Sequence, residues 1–174
     1  ILNLGLNPLA THCNSYFQNE IGWYNYHNLI THFDIDSRSF NPQFEPYREF
    51  VAHSLRRVKD VQLPIRLLQH RFAFETAKQL KIPYVIYGKC DPSHYAGKFP
   101  HDANLEISTW WLYEHEMARI SYDDLISSGA QINNTILEGY RFLDIRHGNS
   151  PKGVFLENYI YWDHSMKRKN KSKN

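Results

Sequence analysis

The chain has 174 residues and a formal net charge of +2 at pH 7. Its length suits one domain whose core needs no cross-links, and its two cysteines exclude a disulfide framework. No apolar run approaches the roughly 18 residues of a membrane helix, so we expect a cytoplasmic protein without a membrane span.

The basic residues are concentrated at one end of the sequence. Segment 166–174 carries five positive charges and has no apolar periodicity, which predicts a disordered basic tail. The remaining residues 1–165 are mildly acidic and show neither an internal repeat nor a linker, so we expect them to form a single domain. A nucleic-acid partner is not expected, because the excess of positive charge lies in the tail.

The first predicted elements alternate between strand and helix. The apolar run 8–12 is typical of a buried strand. Residues 22–33 predict a helix, because apolar side chains recur every three or four positions, at Trp23, Tyr26, Ile30 and Phe33. Residues 33–36 predict a second short strand.

Two more helices and a strand are predicted next. Residues 45–59 and 63–80 each carry a helical stripe of apolar side chains. Each range has a proline near its start, Pro46 or Pro64, which suits a first-turn position. The stripes contain Tyr47, Phe50, Val51, Leu55 and Val58 in one helix and Ile65, Leu68, Phe72 and Leu80 in the other. Residues 84–87 form an apolar strand. This order predicts an α/β fold with a parallel sheet and helical crossovers.

Polar side chains follow two of these strands. Thr11-His-Cys-Asn14 ends the first, and Gly88-Lys-Cys-Asp91 follows the strand at 84–87. Parallel α/β sheets bind ligands beyond the carboxyl ends of their strands. We therefore expect the two strands to be neighbours whose ends form one crevice.

Downstream, residues 104–120 predict a helix, residues 121–124 the start of another, and residues 153–156 a last strand. Ionisable side chains are densest at His101, Asp102, Glu106, Glu114 and His115. Their spacing matches no zinc motif, so no metal-hydrolase site is expected. The large aromatic side chains at Trp110, Trp111, Tyr159 and Trp162 are candidates either for core packing or for stacking on a sugar.

Ordered segments along the chain resemble the N-acetyl sugar amidotransferase family, PP-loop ATP pyrophosphatases of bacterial surface-polysaccharide (lipopolysaccharide and O-antigen) synthesis. They are Leu4-Gly-Leu-Asn-Pro-Leu9, Ile21-Gly-Trp-Tyr-Asn-Tyr-His-Asn28, Ile82-Pro-Tyr-Val-Ile-Tyr-Gly88, Gly97-Lys-Phe-Pro-His-Asp102 with Glu106, Glu114-His115, and Gly153-Val-Phe-Leu-Glu-Asn-Tyr-Ile-Tyr-Trp-Asp163. The resemblance spans residues 4–163.

The resemblance implies a Rossmann-like sheet of the adenine-nucleotide α-hydrolase type. It also implies conversion of a sugar acetamido group into an acetamidino group. ATP activates the amide oxygen as an adenylate, Mg²⁺ neutralises the phosphates, and ammonia from a partner glutaminase displaces AMP. The implied substrate is an N-acetylated nucleotide sugar.

Candidate site residues follow from these strand ends and motifs. We assign nucleotide binding to His12, Cys13, Asn14, Gly88 and Lys89, and catalysis to His101, Asp102 and Glu106, which would hydrogen-bond the sugar or hold Mg²⁺. The motifs shared with the family add Glu114, His115, Asn158, Trp162 and Asp163 as substrate-binding residues.

The family's SGG-x-DS phosphate-binding loop does not occur in this sequence. In relatives it lies just before the segment that matches residues 4–9, so we expect an N-terminally truncated chain. Two alternatives remain: a non-catalytic remnant that serves as an interaction module, and a PP-loop tRNA sulfur transferase that uses Cys13 and Cys90.

Overall fold

We describe the protein from a computed structural model. The structure describes residues 5–88, 106–117, 119, 120, 124, 150–156 and 159. The proposed tail at 166–174 and the helix proposed from residue 121 lie outside these residues, except for Asp124.

The described residues form a mixed α/β fold, which confirms the expected class. The strands are β1 (Ala10–Cys13), β2 (Ser37–Phe40), β3 (Tyr84–Tyr87), β4 (Glu106–Ile107) and β5 (Lys152–Phe155). The helices are α1 (Glu20–Phe33), α2 (Phe44–Val58), α3 (Leu63–Gln79) and α4 (Thr109–Trp111), and α4 continues as a π-helical turn, Leu112–Glu116. None of the helices in the described part of the chain could cross a membrane, because none is both long and apolar enough.

Helix α1 begins and ends at recognisable caps. The side chain of Asn19 accepts a hydrogen bond from Gly22 N at 2.9 Å, which satisfies one of the free N–H groups of the first turn. Asp34 adopts the left-handed conformation (φ 50°) and ends the helix. The strand predicted at 33–36 is therefore wrong: Phe33 is the last helical residue, and β2 begins only at Ser37.

Helices α2 and α3 confirm the two predicted helices to within one residue at each end. Pro64 occupies the first turn of α3, where its missing N–H breaks no helical hydrogen bond. Two residues predicted for the apolar stripes, Leu55 and Leu80, are instead about half exposed (48% and 44%). His53 and Ser54 are buried on α2 in addition to Tyr47 and Phe50.

The strands form two separate sheets. β1 pairs with β2 in parallel, and α1 is the crossover between them. β5 lies between β3 and β4, parallel to β3 and antiparallel to β4. The prediction that β1 and β3 are adjacent is wrong, because each belongs to a different sheet.

Helix α3 packs against both sheets and unites the core. Near its start, Leu67 and Leu68 lie in a cluster with Cys13 of β1 and with Tyr47 and Phe50 of α2. Further along α3, Ala73, Phe74 and Ala77 pack against Val85 of β3. A third cluster joins Ile107, Trp111, Leu112 and Phe155.

The helix predicted over 104–120 begins later than expected. Glu106 and Ile107 pair with β5 as β4, and the helix starts only after Ser108, whose Oγ accepts a hydrogen bond from Trp111 N at 3.0 Å. Trp111 is 8% exposed and belongs to the core, which was one of the two roles considered for it. The predicted last strand is confirmed with a shift of one residue, to Lys152–Phe155.

Candidate functional site at the carboxyl ends of β1 and β3

The carboxyl ends of β1 and β3 lie on the same side of the fold. Cys13 is the last residue of β1, and Tyr87 is the last residue of β3. Cys13 packs in one core cluster with Leu67 and Leu68 of α3, and the Tyr87 hydroxyl contacts His70 of the same helix. Both strands therefore end beside the same part of α3, although they are not paired. Burial raises the pKa of the Tyr87 phenol, and the nearby charge of Glu116 raises it further.

A buried polar network lies beneath these strand ends. His70 Nδ1 is 2.9 Å from the Tyr87 hydroxyl, and His70 Nε2 is 4.0 Å from Glu116 Oε2. Glu116 Oε2 is also 3.1 Å from Arg66 Nε, and Arg66 forms a further ion pair with Asp60. The side chains of His70 and Glu116 are only 6% and 5% exposed. The network therefore ties α3, the π-helical turn and β3 together inside the protein.

The sequence argument missed this network. His70 stands at helical spacing from Leu67 and Phe74, and Glu116 from Leu112 and Ile120, so a polar side chain on an apolar face was the available signal. Buried polar groups are normally hydrogen-bonded, and a buried charge is normally paired. Because His70 and Glu116 are themselves enclosed, they have no direct access to a ligand in solvent.

His12 lies in an aromatic cluster beside β1. Its ring is 4.5 Å from the ring of Tyr26 and 5.5 Å from that of Trp23, both on α1. Tyr26 in turn contacts Ser39 of β2, with 3.1 Å between their hydroxyl oxygens. Burial lowers the pKa of His12, opposed in part by the side chain of Gln18, so the imidazole is neutral at pH 7.

Cys13 and Asn14 have local structural roles. Cys13 is 4% exposed, and burial raises the pKa of its thiol to about 12, so it is a protonated core residue at neutral pH. Asn14 Oδ1 accepts a hydrogen bond from Tyr16 N at 2.9 Å, and Asn14 N donates to Phe40 O. Asn14 therefore forms the turn after β1.

At the end of β3, Gly88 is exposed, and a Cβ atom placed there meets no atom within 4 Å. The described residues therefore leave the space next to its backbone open. Several proposed site residues lie outside the described residues: Lys89, Cys90, His101, Asp102, Asn158, Trp162 and Asp163. The structure does not describe the side chain of Trp110 either.

The remaining candidates occupy ion pairs and aromatic contacts away from the strand ends. Glu106 Oε1 is 2.7 Å from Lys152 Nζ, and this hydrogen bond raises the pKa of the lysine. Glu114 Oε2 is 2.7 Å from Arg119 Nε. The His115 ring lies 5.4 Å from that of Trp111.

The described carboxylates do not fit a magnesium site. Within these ranges, no three His, Cys, Asp or Glu side chains are grouped to hold a metal ion. Glu106 and Glu114 are each engaged by a cation. These carboxylates therefore supply no site for a Mg²⁺ ion in the reaction.

A large apolar cavity separates the amino-terminal halves of β1 and β3. Its volume is about 800 Å³, within the range of small-molecule and peptide sites. Ala10 and Thr11 of β1 line it from one side, and Tyr84 and Ile86 of β3 line it from the other.

Comparison with known proteins gives no match to any family model and none to a curated protein.

Proposed function

We propose that this chain is the synthetase part of an ATP-dependent sugar amidotransferase acting in surface-polysaccharide synthesis in the cytoplasm. It converts the acetamido group of an N-acetylated nucleotide sugar into an acetamidino group, with ammonia from a glutaminase partner. The observation that supports this best is the position of the carboxyl ends of β1 and β3 beside the same part of helix α3, where Cys13 packs against Leu67 and Tyr87 contacts His70. Nucleotide-binding α/β sheets bind their ligands at such an edge.

The proposal includes a Rossmann-like sheet of the PP-loop type. The two parallel pairs, β1 with β2 and β3 with β5, support such a sheet, as does helix α1, which connects β1 to β2. In a doubly wound sheet, β1 and β3 would lie on either side of the point where the strand order reverses.

The proposed chemistry needs an activated amide. The amide oxygen attacks the α-phosphorus of ATP and displaces pyrophosphate, which gives an O-adenylated imidate. Ammonia adds to the imidate carbon, and AMP leaves with the oxygen. In this scheme His12 and Gly88 flank the adenylate, because His12 belongs to the aromatic cluster beside β1 and Gly88 offers open backbone at the end of β3.

The first experiment measures ATP binding by calorimetry and formation of AMP from ATP. AMP should appear only when ammonia and an N-acetylated nucleotide sugar are both present. If no N-acetylated nucleotide sugar supports AMP formation, the proposed reaction is wrong.

A pair of glycine variants tests the nucleotide site. Gly88→Ala adds a methyl group to open space, so folding stability stays unchanged while ATP affinity falls. In the control Gly153→Ala, the new Cβ lies 2.8 Å from Phe74 Cζ and 2.9 Å from Ile107 Cβ. That variant loses about 1–3 kcal/mol of stability through overpacking. Unchanged ATP affinity in Gly88→Ala would exclude Gly88 from the site.

A non-catalytic interaction module is the second candidate function. The absence of SGG-x-DS from the sequence and the open cavity between β1 and β3 favour it. It predicts binding to the glutaminase partner without nucleotide affinity. The sulfur-transferase alternative is disfavoured, because the pKa of about 12 at Cys13 leaves almost no thiolate at neutral pH.

A further inference from the structure

The outer edge of β2 is an open strand edge on the surface of the fold. Among the described strands, β2 pairs only with β1, so its second edge has no partner strand there. All four residues of β2 are exposed. An open edge presents backbone N–H and C=O groups that favour pairing with a further strand. The outer edge of β2 is therefore a candidate interaction surface.

The hydrogen bonds to β1 identify which backbone groups of β2 face outward. Ala10 N donates to Asp36 O at 2.9 Å, so the carbonyl of Asp36 faces β1. Because backbone groups alternate along a strand, those of Arg38 also face β1, whereas those of Ser37 and Ser39 face outward. Within β2, a partner strand can therefore bond only to these two serines.

Two opposite charges lie beside this edge. Asp36 and Arg38 are two residues apart along extended backbone, so their side chains point to the same face of the sheet. Both residues are exposed, and the ion pairs among the described residues include neither of them. An antiparallel strand with the same sequence reverses the order of the two charges. A second copy of β2 can thus place an opposite charge across from each.

We propose that the outer edges of β2 from two copies of this chain pair as antiparallel strands and form a symmetric dimer. Outward-facing residues must oppose each other, and Ser37 lies across from Ser37 of the second copy, with two hydrogen bonds between them. Asp36 of each copy then lies across from Arg38 of the other, in a pair whose Cα atoms are about 4.5 Å apart. The neighbouring register, with Ser37 across from Ser39, would oppose the two Arg38 side chains and is disfavoured.

Helix α1 lies where the second copy can pack against it. Its Tyr26 contacts His12 of β1 and Ser39 of β2, so the helix covers this pair of strands. In the dimer, the two copies of α1 lie on the same face of the joined sheet, two strand spacings or about 10 Å apart. Packed helices have axes about 8–10 Å apart. Since α1 contains no buried residue, a contact between its two copies would bury further surface.

The side of α1 that faces the second copy is polar. His27 and Thr31 are exposed and lie around the helix from Leu29 and Phe33, which line the cavity beside β1. Thr31 is small, which allows the two helices to approach closely. Two short strands and this side of α1 form a small interface, so we expect a dissociation constant in the micromolar range.

Sedimentation velocity of the 174-residue chain, from about 1 µM to about 1 mM, tests the dimer. The sedimenting mass should rise from one chain to two as the concentration increases. Arg38→Asp places two like charges across from each other in both pairs, and so does Asp36→Arg. Either substitution should raise the dissociation constant about 10-fold or more. A single chain at every concentration of the unmodified protein would overturn the dimer.

Mixing the two charge variants tests the register. In a mixed pair of Arg38→Asp and Asp36→Arg, each carboxylate again lies across from a guanidinium group. The mixture should therefore dimerise with nearly the affinity of the unmodified chain. Lys78→Glu is the matched control, because it makes the same charge change as Arg38→Asp at an exposed position of α3, and it should dimerise normally. A mixture that stays monomeric, or equal weakening by Lys78→Glu, would overturn the pairing of the β2 edges.

Hydrogen exchange locates the contact on the backbone. At a chain concentration of about ten times the dissociation constant, mass action leaves about a fifth of the chains monomeric, so exchange of the Ser37 amide should slow about 5-fold. The amide of Ala10 is the internal control and should change little, because it already bonds to β2. Ser37→Pro removes the outward donor without breaking a bond to β1, and this variant should stay monomeric. An unchanged Ser37 amide in the dimer, or a dimer of Ser37→Pro, would overturn the proposed edge.

Dimerisation in this form is independent of the proposed reaction. Paired antiparallel strands run in opposite directions, so the carboxyl ends of β1 in the two copies lie at opposite edges of the joined sheet. The β2 strand of one copy therefore does not cover the β1 end of the other. No nucleotide is present in these experiments, so they can fail while AMP formation succeeds, and the reverse.

Discussion

The thiol of Cys13 lies in the core with Tyr47 and Leu67, where it cannot act as a nucleophile. Its pKa of about 12 predicts slow modification by a thiol reagent at pH 8 in the folded protein. Modification should accelerate to the free-cysteine rate in urea. Mass spectrometry of the peptide containing Cys13 gives the rate at this site alone.

The control for Cys13 is the unfolded chain at the same pH. Rapid modification of Cys13 without denaturant would mean that the thiol is accessible, and it would restore the sulfur-transfer alternative. Cys90 is distinguished in the same experiment, because it lies on a different peptide.

Asp60 predicts a pH dependence of stability. Burial opposes ionisation of its carboxyl group, yet hydrogen bonds from Arg66 and from Gln62 N hold its pKa below the ordinary value. Its charge therefore stabilises the fold above the unfolded-state pKa of about 3.9. That contribution is lost as the pH falls through the lower folded-state pKa.

The substitution Asp60→Asn should cost about 1 kcal/mol at pH 7. The difference from the unmodified protein should shrink as the pH falls below about 3.9. Urea unfolding at a series of pH values measures both effects. Asp36→Asn is the control, since Asp36 is exposed at the start of β2 and should change stability little. A difference that stays constant down to acid pH would contradict the role of the ionised carboxylate.

Sequence reasoning located the polar strand ends but could not assign their roles. Asn14 follows β1 as expected, yet its side chain closes a turn on Tyr16. His70 and Glu116 were missed, because helical periodicity identifies which face is buried without showing which polar groups meet there. Such contacts depend on tertiary packing between segments far apart in the chain.

At the scale of the elements, the end of α2 carries a strained residue. Lys59 follows the helix with φ 64°, and its N–H donates to Leu55 O at 3.2 Å. Glycine adopts this conformation without the steric cost of a Cβ. Lys59→Gly should therefore raise the free energy of unfolding by about 0.5–1 kcal/mol.

The matched control is Lys78→Gly in the last turn of α3. Lys78 is exposed and helical, so glycine there should lower stability by up to about 1 kcal/mol. Thermal or urea unfolding of the two variants shows directly whether each substitution raises or lowers the free energy of unfolding. A loss of stability in both would show that the conformation of Lys59 is not strained.

Helices were easier to predict than short strands for a physical reason. α2 and α3 each run over at least four turns, so their periodic pattern is repeated several times. β2 has four exposed residues, Ser37–Phe40, and therefore shows no alternation of apolar and polar side chains. The apolar signal at 33–36 came instead from the end of α1 and from Ile35.

At the scale of the whole molecule, strand order was only partly predictable. The parallel pairs and the helical crossover followed from the order of elements, and the class is confirmed. The prediction that β1 and β3 are neighbours was wrong, because local periodicity carries no information on which strands pair across a sheet. Both strands still end beside the same part of α3, since Cys13 packs against Leu67 and Tyr87 contacts His70.

The separation of the two sheets predicts how the protein unfolds. β1 shares one core cluster with α2 and the start of α3, whereas β3 packs against the later part of α3. Because no backbone hydrogen bonds join β1 to β3 in the described structure, the two sheets should open at different free energies. Native-state hydrogen exchange in increasing urea measures the free energy of opening at each amide. The value for Lys152 should differ from the values for Ala10 and Asn14 by about 1 kcal/mol or more.

A single unfolding free energy for the amides of both sheets would contradict this prediction. It would mean that helix α3, which packs against β1 and β3, already couples the two sheets fully.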